Sequence, residues 1–246
     1  MGAHLKRISM IPKRIHYCWF GGKEKPKSVK KCIESWKKNA KGYEIIEWNE
    51  NNFNIHQNSY TEFCYQNKKW PFLSDFARLL IVSKEGGIYF DTDVELIGNL
   101  DKYLQYDAFY GFENNNAVAT GLGFGAIKGH ESLTLMIEEY NSLEVDEFGE
   151  FQLTPCPKLN TNALLKMGLK LTGEIQELKS KTLILPAEYM NPYDDPTGRL
   201  NKTSNTISIH WYSKSWLDSK TILKSKITRP FHRVFGEDCF AWLRRK

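Results

Sequence analysis

The sequence lacks any run of about 18 consecutive apolar residues, the minimum for a membrane-spanning helix. Its first nine residues lack the apolar stretch of a secretory signal peptide. It also has no internal repeat and no low-complexity segment, which argues against solenoid and disordered chains. We therefore expect a globular protein with no membrane span, and we interpret residues 1–9 as an N-terminal extension or a tag remnant.

Cysteine is scarce and scattered along the chain. There are five cysteines, none of them in a CxxC pair, and an odd number cannot all form disulfides within one chain. This pattern argues against both a disulfide scaffold and a structural zinc site. It is typical of a protein kept in a reducing compartment, so the sequence predicts a cytoplasmic location.

Acidic residues are few at both ends of the chain and concentrated in its middle. Residues 1–41 hold 12 Lys and Arg against 2 acidic residues, and residues 220–246 hold 8 against 2. Residues 42–219 hold 14 against 25, although the whole chain has a net charge of +5. An acidic centre disfavours a nucleic-acid partner. It suits a site that binds a cation and meets an anionic ligand through it.

Hydrophobic residues make up 41% of the chain and aromatic residues 13%, which is enough for a packed core. Strand-like and helix-like patterns alternate, and this order predicts an α/β domain of three layers. Residues 191–205 have the composition of a long loop. We predict strands at 14–20, 44–48, 88–90 and 207–211, and helices at 26–39 and 74–84, the second capped by Ser74 and stopped by Gly86-Gly87.

The segment GGIYFDTDVE (86–95) carries the strongest local signal for chemistry. If Asp91 and Asp93 continue the strand, they project to the same face, where two carboxylates repel unless a cation lies between them. Carboxylates and phosphate oxygens are hard ligands, which favours Mn²⁺ or Mg²⁺ over zinc. Such an ion neutralises a departing diphosphate. The alternative is a solvated turn at the end of a strand.

Two further groups of residues accompany this pair. Asp75 and Arg78 lie at i and i+3 on the predicted second helix, where Asp75 can accept hydrogen bonds from sugar hydroxyls and Arg78 can bind phosphate. The alternative is an ordinary surface pair. Trp19 follows the first strand and can stack on a base if exposed, or belong to the core if buried. His16, in the same strand, is expected to be a hydrogen-bonded core histidine.

The segment IHWYSKSW (209–216) is a third candidate. His210 can complete a metal site, and Trp216 can close over a bound nucleotide-sugar donor. The alternative is a strand whose histidine packs in the core.

Together these segments resemble glycosyltransferase family 32, which includes bacterial capsule and lipopolysaccharide sugar transferases and is distantly similar to the glucosyltransferase domains of large clostridial toxins. The most specific feature is SDxxR, followed after twelve residues by a DxD behind GGIY. The matching segments are IPKRIHYCWFGG (11–22), YEIIEW (43–48), LSDFARLLIVSKEGGIYFDTDVE (73–95) and IHWYSKSW (209–216).

The resemblance implies a GT-A fold, which is a Rossmann-like nucleotide-sugar-binding domain with a central mixed sheet flanked by helices. It also implies sugar transfer with retention at the anomeric carbon. It implies a nucleotide-diphosphate donor, with UDP-sugars expected by analogy, and a glycan acceptor, either free or carried on a lipid, in surface polysaccharide synthesis. By position, Trp19 corresponds to the residue that stacks on the donor base, and Asp75 and Arg78 to donor contacts. Asp93 corresponds to the direct metal ligand, Asp91 to a ligand through water or to a ribose contact, and His210 to the C-terminal metal ligand.

Two other functions remain open from the residues themselves. A metal-dependent sugar nucleotidyltransferase also pairs carboxylates with a divalent ion. It would join a sugar 1-phosphate to a nucleoside triphosphate and release pyrophosphate. A binding module for nucleotide-sugars or carbohydrates would keep the pocket without turnover. Donor hydrolysis separates a transferase from such a module.

The basic C-terminal segment, residues 220–246, lies outside the resemblance, which we assign to a domain over residues 11–219. Phe231, Val234 and Phe235 recur at helical spacing, which predicts a short amphipathic helix. Basic and aromatic residues together suit the surface of an anionic membrane. The alternative is that the aromatic residues, including Trp242, pack against the domain.

Overall fold

The computed structural model describes residues 10–213, 228–236 and 239. In chain order, the strands β1–β12 are Arg14–Cys18, Glu44–Trp48, Gly87–Tyr89, Val94–Leu96, Ala108–Asn114, Ala117–Val118, Phe124–Ala126, Gln176–Leu178, Thr182–Leu185, Tyr193–Asp194, Arg199–Leu200 and Ser208–His210. The helices α1–α6 are Lys27–Asn39, Ser59–Gln66, Trp70–Glu85, Glu131–Asn141, Cys156–Lys166 and Ala187–Met190. Short 3₁₀ helices occupy Ile55–Gln57, Asp101–Tyr103 and Thr120–Leu122.

A mixed sheet forms the centre of the fold. Its strand order is β2-β1-β3-β7-β5-β9-β8, and β6 pairs with β5. The β2-β1-β3 half is parallel, β7 runs antiparallel to both β3 and β5, and β9 is parallel to β5. The prediction of an α/β domain with a mixed central sheet is confirmed.

Helices cover both faces of this sheet. Side chains from α2, α3, α4 and α5 form one apolar cluster with Tyr89, Tyr110 and Phe124 of the sheet. Side chains from α1 form a second cluster with Ile88 and Phe109, the chain neighbours of Tyr89 and Tyr110. Successive residues of one strand thus enter opposite clusters, as the alternation of side chains along a strand requires. Among the described residues, every helix is too short or too polar to span a bilayer.

Most predicted elements are present, with shifted bounds in several places. The strand at Glu44–Trp48 is as predicted, β1 ends two residues early at Cys18, and the first helix begins at Lys27. The prediction that Ser74 caps the second long helix is wrong, because α3 begins at Trp70. Proline in the second position fits this start, since the first turn of a helix needs no N–H donor there.

Two other bounds differ from the sequence prediction. The composition of residues 191–205 predicts a long loop, and the structure shows that this segment contains the short antiparallel pair β10–β11. The late strand expected at 207–211 is present as β12, and it pairs with β4 rather than with the central sheet.

Candidate functional site

The two aspartates of the DxD motif lie in a tight turn between β3 and β4. The prediction that they continue the strand is wrong, because β3 ends at Tyr89 and the N–H of Val94 donates to the carbonyl of Asp91 at 3.0 Å. The turn nevertheless brings both carboxylates together with the His210 imidazole, and one ligand atom from each lies within 4.8 Å of the others. We call these three residues the triad.

Arg78 connects helix α3 to the triad. Its side chain is 2% exposed, and its guanidinium contacts Asp75 at 2.6 Å and the two oxygens of Asp91 at 3.0 and 3.2 Å. Asp75 and Arg78 therefore form the predicted i, i+3 pair, and it is buried rather than a surface pair. Arg78 also donates to the Thr120 hydroxyl at 3.3 Å, and its guanidinium lies 5.1 Å from the centre of the Tyr89 ring.

The two DxD carboxylates differ in their protonation behaviour. Burial raises the pKa of Asp91 to about 6, although Arg78 opposes this shift. Burial acts in the same direction on Asp93, but the charge and hydrogen bond of His210 and the N–H of Ser213 hold its pKa well below the usual range. The Ser213 N–H donates to Asp93 at 2.8 Å. Asp93 is therefore the carboxylate held firmly in its anionic form.

His210 reaches the triad through the pairing of β12 with β4. In this register His210 lies opposite Val94, and the N–H of Trp211 donates to the carbonyl of Asp93 at 3.0 Å. The Nε2 atom of His210 lies 3.1 Å from the Asp93 carboxylate. Burial lowers the pKa of this imidazole, but the charge and hydrogen bond of Asp93 raise it, and the net shift is upward. Among the described residues no hydrogen-bond partner reaches its buried Nδ1.

The donor set of the triad fits a divalent cation. Two carboxylates and an imidazole are ligands that Mn²⁺ accepts, and Mg²⁺ prefers the carboxylates. Both oxygens of Asp91 already accept hydrogen bonds from Arg78, whereas among the described residues the Asp93 carboxylate contacts His210 and Ser213. This arrangement favours Asp93 as the closest ligand of an ion.

Trp19 lies at the same edge of the sheet as the DxD turn. It follows β1, Asp91 follows β3, and these strands are parallel neighbours. The indole is half-buried, its Nε1 donates to the carbonyl of Lys23 at 2.6 Å, and the ammonium of Lys25 lies 5.8 Å from the ring centre. One part of the ring therefore remains available to a ligand. Trp216 falls outside the described residues.

His16 belongs to the core, as its place in an apolar strand predicts. It is fully buried, its Nε2 donates to the carbonyl of Gly86 at 2.9 Å, and its Nδ1 accepts from Trp48 at 3.1 Å. Both ring nitrogens are satisfied in the neutral form. A side chain at Gly87 would meet this imidazole at 2.9 Å, which explains why glycine stands there.

Several residues of the site were missed from the sequence. Tyr212 has a left-handed backbone with φ of 47°, which turns the chain so that Ser213 can reach Asp93. Gly121 packs against Asp91 and Arg78, and a Cβ there would lie 2.6 Å from the Asp91 carboxylate. Thr120 in the same 3₁₀ turn is held by the buried Asn160 side chain. The glycine-rich stretch around Gly121 was the available signal.

Part of the chain matches a family of known proteins. Residues 26–110 match the family model described as a glycosyltransferase sugar-binding region containing a DXD motif. The matched range contains Asp75, Arg78 and both DxD aspartates, while Trp19 and His210 lie outside it.

Two relatives cover part of the chain. An uncharacterized glycosyltransferase of Acanthamoeba polyphaga mimivirus is 33% identical over 107 residues, which are 41% of this chain and 43% of the relative. Inositol phosphoceramide mannosyltransferase 3 of Schizosaccharomyces pombe is 29% identical over 134 residues, which are 52% of this chain and 36% of the relative. The chain therefore matches less than half the length of each.

Solved structures of glycosyltransferases are also similar at low scores. The PaToxG glycosyltransferase has 19% identity and a TM-score of 0.46, with 64% of this chain and 69% of that one covered. A galactosyltransferase in complex with donor and acceptor sugar analogs has 11% identity and a TM-score of 0.45, with 87% and 93% covered.

Proposed function

From its glycosyltransferase sugar-binding region with a DXD motif, we propose that this chain transfers a sugar from a nucleotide-diphosphate donor to a glycan acceptor. The observation that carries the proposal is the buried network of Asp75, Arg78 and Asp91 beside Asp93 and His210. Arg78 and Asp75 can hold the donor sugar and ribose, and Trp19 can stack on the base. These residues would position the donor over the triad.

A divalent ion, Mn²⁺ or Mg²⁺, held by Asp93, Asp91 and His210 would neutralise the negative charge on the departing diphosphate. Arg78 keeps Asp91 in place through two hydrogen bonds. Burial of the network lowers the local dielectric and so strengthens its electrostatic effect. The resemblance to family 32 supports retention at the anomeric carbon and a UDP-sugar donor.

The finer parts of the proposal concern where the acceptor lies. We assign the enzyme to surface polysaccharide synthesis at the cytoplasmic face of a membrane, with a domain over residues 11–219 and the tail over 220–246. Residues 228–235 are helical, and Val234 and Phe235 are 73% and 70% exposed. This apolar face supports contact with a membrane that carries a lipid-linked acceptor.

The test is a panel of nucleotide sugars incubated with the protein, with and without Mn²⁺, in which released nucleotide diphosphate is measured. We expect release from one class of donor, dependent on the ion, and an NMR spectrum of the product that keeps the anomeric configuration of the donor. Release of pyrophosphate when the protein is given a sugar 1-phosphate and a nucleoside triphosphate would favour a nucleotidyltransferase instead. Binding of donors with no release under any condition would indicate a binding module.

A further inference from the structure

A cleft of about 560 Å³ lies beside the triad and has no role in donor binding as described above. It is formed by the end of strand β5 and the segment from α6 to β11, and Glu113, Asn191 and Asp194 are among its lining residues. Its volume is within the range of sites that hold small ligands, about 300–1,000 Å³.

Tyr212 joins this cleft to the triad. Its ring meets the His210 ring at a centroid distance of 4.1 Å, and its hydroxyl donates to Glu113 at 3.3 Å. Tyr212 thus contacts the triad through His210, while another member of the triad, Asp91, binds Arg78. The triad therefore separates the Arg78 network, where the donor sugar is proposed to bind, from the cleft.

The chemistry of the lining is that of a site for hydroxyl groups. Carboxylates of Glu113, Glu188 and Asp194 and the amides of Asn191 and Asn201 accept and donate hydrogen bonds, and the lining among the described residues contains no Lys or Arg. The amide oxygen of Asn191 is buried without a hydrogen-bond partner in the described chain. The amide nitrogen of Asn191 donates to the carbonyl of Glu113 at 2.9 Å, so the side chain is held at the cleft wall with its oxygen as an unused acceptor.

The wall formed by residues 194–198 is fixed by the C-terminal helix. Arg229 binds the side chain and carbonyl of Asp195, at 2.8 and 3.1 Å, and Arg233 donates to the carbonyls of Thr197 and Gly198. The Arg229 guanidinium thus contacts two residues of the lining, Asp195 and Tyr193, and it neutralises the Asp195 carboxylate. Arg233 binds the backbone of the adjoining loop. Within the part of the chain that the structure describes, Glu113, Glu188 and Asp194 form no ion pair, so the described lining keeps a negative field that repels an anionic ligand.

We propose that this cleft binds the acceptor sugar and selects a neutral or positively charged sugar over a uronic acid or a phosphorylated sugar. The inference rests on the proposed transferase function and assigns the charge class of its acceptor. Glu113 acts as a specificity-determining residue, because it lies at the junction of the cleft and Tyr212. Any phosphate of a lipid carrier would then lie outside the cleft.

Ligand-observed NMR on the full chain tests this assignment without a donor. Three probes are neutral: the methyl glycosides of glucose, of galactose and of N-acetylglucosamine. Glucosamine is the positively charged probe, and methyl glucuronide is the negatively charged one. We expect wild type to bind at least one neutral probe or glucosamine at least about tenfold more tightly than the glucuronide, a ratio that the charge difference can supply. Glu113→Gln should reduce this ratio several-fold, and Glu188→Gln, a second variant from the cleft, should reduce it as well. Glu177→Gln, on the exposed edge strand β8, should keep the wild-type ratio.

Equal binding of glucuronide and neutral sugars, or no binding of any probe, would overturn the inference, as would cleft variants that fold and keep the full preference. Nucleotide diphosphate release by the same protein samples is measured separately. Release without any sugar binding rejects the cleft assignment alone. Sugar binding by a protein that turns over no donor rejects the transferase function and the acceptor role with it.

Discussion

Arg78 is the charged residue on which the candidate site depends most. A buried guanidinium is stable only when carboxylates surround it, and Asp75 and Asp91 supply them. Although burial lowers the pKa of Arg78, these two carboxylates raise it well above its ordinary value, so the side chain stays charged. The same contacts oppose the rise that burial causes in the pKa of Asp75 and Asp91. The site therefore holds its charges in place before any ligand arrives.

Asp93→Asn tests the role of the anionic carboxylate. The substitution keeps the shape of the side chain but removes the charge that faces His210. We expect the rate of donor turnover to fall about a hundredfold or more, on the order of 3 kcal/mol of transition-state stabilisation. Steady-state kinetics over a range of Mn²⁺ concentrations measure it. Asp146→Asn, in an exposed loop, is the matched control, and a variant at position 93 with near-normal, chelator-sensitive turnover would contradict the assignment.

His16 makes the stability of the fold depend on pH. Burial lowers its pKa, while the hydrogen bond to Gly86 opposes the shift. As the pH falls below about 6.5, the unfolded chain binds a proton at this residue that the native protein does not, so the free energy of unfolding decreases. The slope from this one group is at most about 1.4 kcal/mol per pH unit.

Chemical denaturation between pH 7 and pH 5 measures this effect. His16→Gln keeps a donor for the Gly86 carbonyl but cannot titrate, so its free energy of unfolding should vary less with pH than that of wild type. The variant is expected to be less stable at pH 7, and only the slope decides the question. An unchanged slope in a folded variant would show that His16 titrates normally in the native state.

Trp19→Ala tests base stacking at the edge of the sheet. If the half-buried indole stacks on the donor base, nucleotide diphosphate affinity should weaken by roughly 1–3 kcal/mol. Isothermal titration calorimetry measures the affinity, and a melting curve checks that the variant is folded. Trp19→Phe keeps an aromatic face and should lose less. Unchanged affinity in folded Trp19→Ala would return this residue to a purely structural role.

At the scale of elements, three segments that are distant in sequence surround the DxD turn. Helix α3 supplies Arg78, the 3₁₀ turn Thr120–Leu122 packs against Asp91, and strand β12 delivers His210. Helix α1 also contacts the end of the turn, because the buried Trp36 indole donates to the carbonyl of Val94 at 2.8 Å. The turn is therefore held by these neighbours in addition to its own hydrogen bond between Val94 and Asp91.

Gly121→Ala tests how closely the 3₁₀ turn must approach the carboxylate. The added methyl group would lie 2.6 Å from Asp91 and 3.2 Å from Arg78, so one of them must move. A displacement of about 1 Å at a reacting centre can cost a hundredfold in rate. We expect at least about a tenfold loss of donor turnover with the secondary structure retained in circular dichroism. Thr120→Ser, which keeps the hydroxyl for Arg78, should stay close to wild type, and equal activity of the two variants would contradict the packing argument.

At the scale of the whole molecule, the C-terminal segment is bound to the rest of the domain through two arginines, and it keeps apolar side chains exposed. Its predicted helix is present at residues 228–235, and Gly236 follows it with φ of 82°. Arg229 and Arg233 both bind the loop at 195–198: the charge of Arg229 is paired with Asp195, whereas Arg233 binds backbone carbonyls and keeps its net positive charge. Phe231 and Phe235 are 48% and 70% exposed, so their aromatic rings do not pack fully against the domain. Trp242 lies outside the described residues.

Co-sedimentation with vesicles tests the proposed membrane contact. We expect binding to vesicles that contain anionic lipid, weaker binding as salt increases, and loss of binding after truncation at Ser219. Because truncation also removes the contacts of Arg229 and Arg233 with the loop, a second variant with Val234→Ser and Phe235→Ser keeps both arginines. It should bind vesicles less tightly while donor turnover in solution stays as in wild type. A full chain that never sediments with anionic vesicles would end the idea.

The sequence by itself determined the local parts of the site. Asp75 and Arg78 are three residues apart, so the helix alone places them side by side, and the DxD pair must stay together wherever its turn lies. The strand and helix patterns likewise predict several strands and helices of an α/β domain, because they depend on periods of two and 3.6 residues. The start of α3 at Trp70 escaped this reasoning, since a proline near a helix end also marks loops.

Only the tertiary structure decided which distant residues complete the site. His210 reaches Asp93 because β12 pairs with β4 across more than a hundred residues of chain, and Tyr212 reaches Glu113 through a left-handed backbone that no local pattern encodes. The depth of Arg78 and the opposite pKa shifts of Asp91 and Asp93 have the same origin. Burial and long-range contact depend on how the whole chain closes around its core, and one segment of sequence does not contain that information.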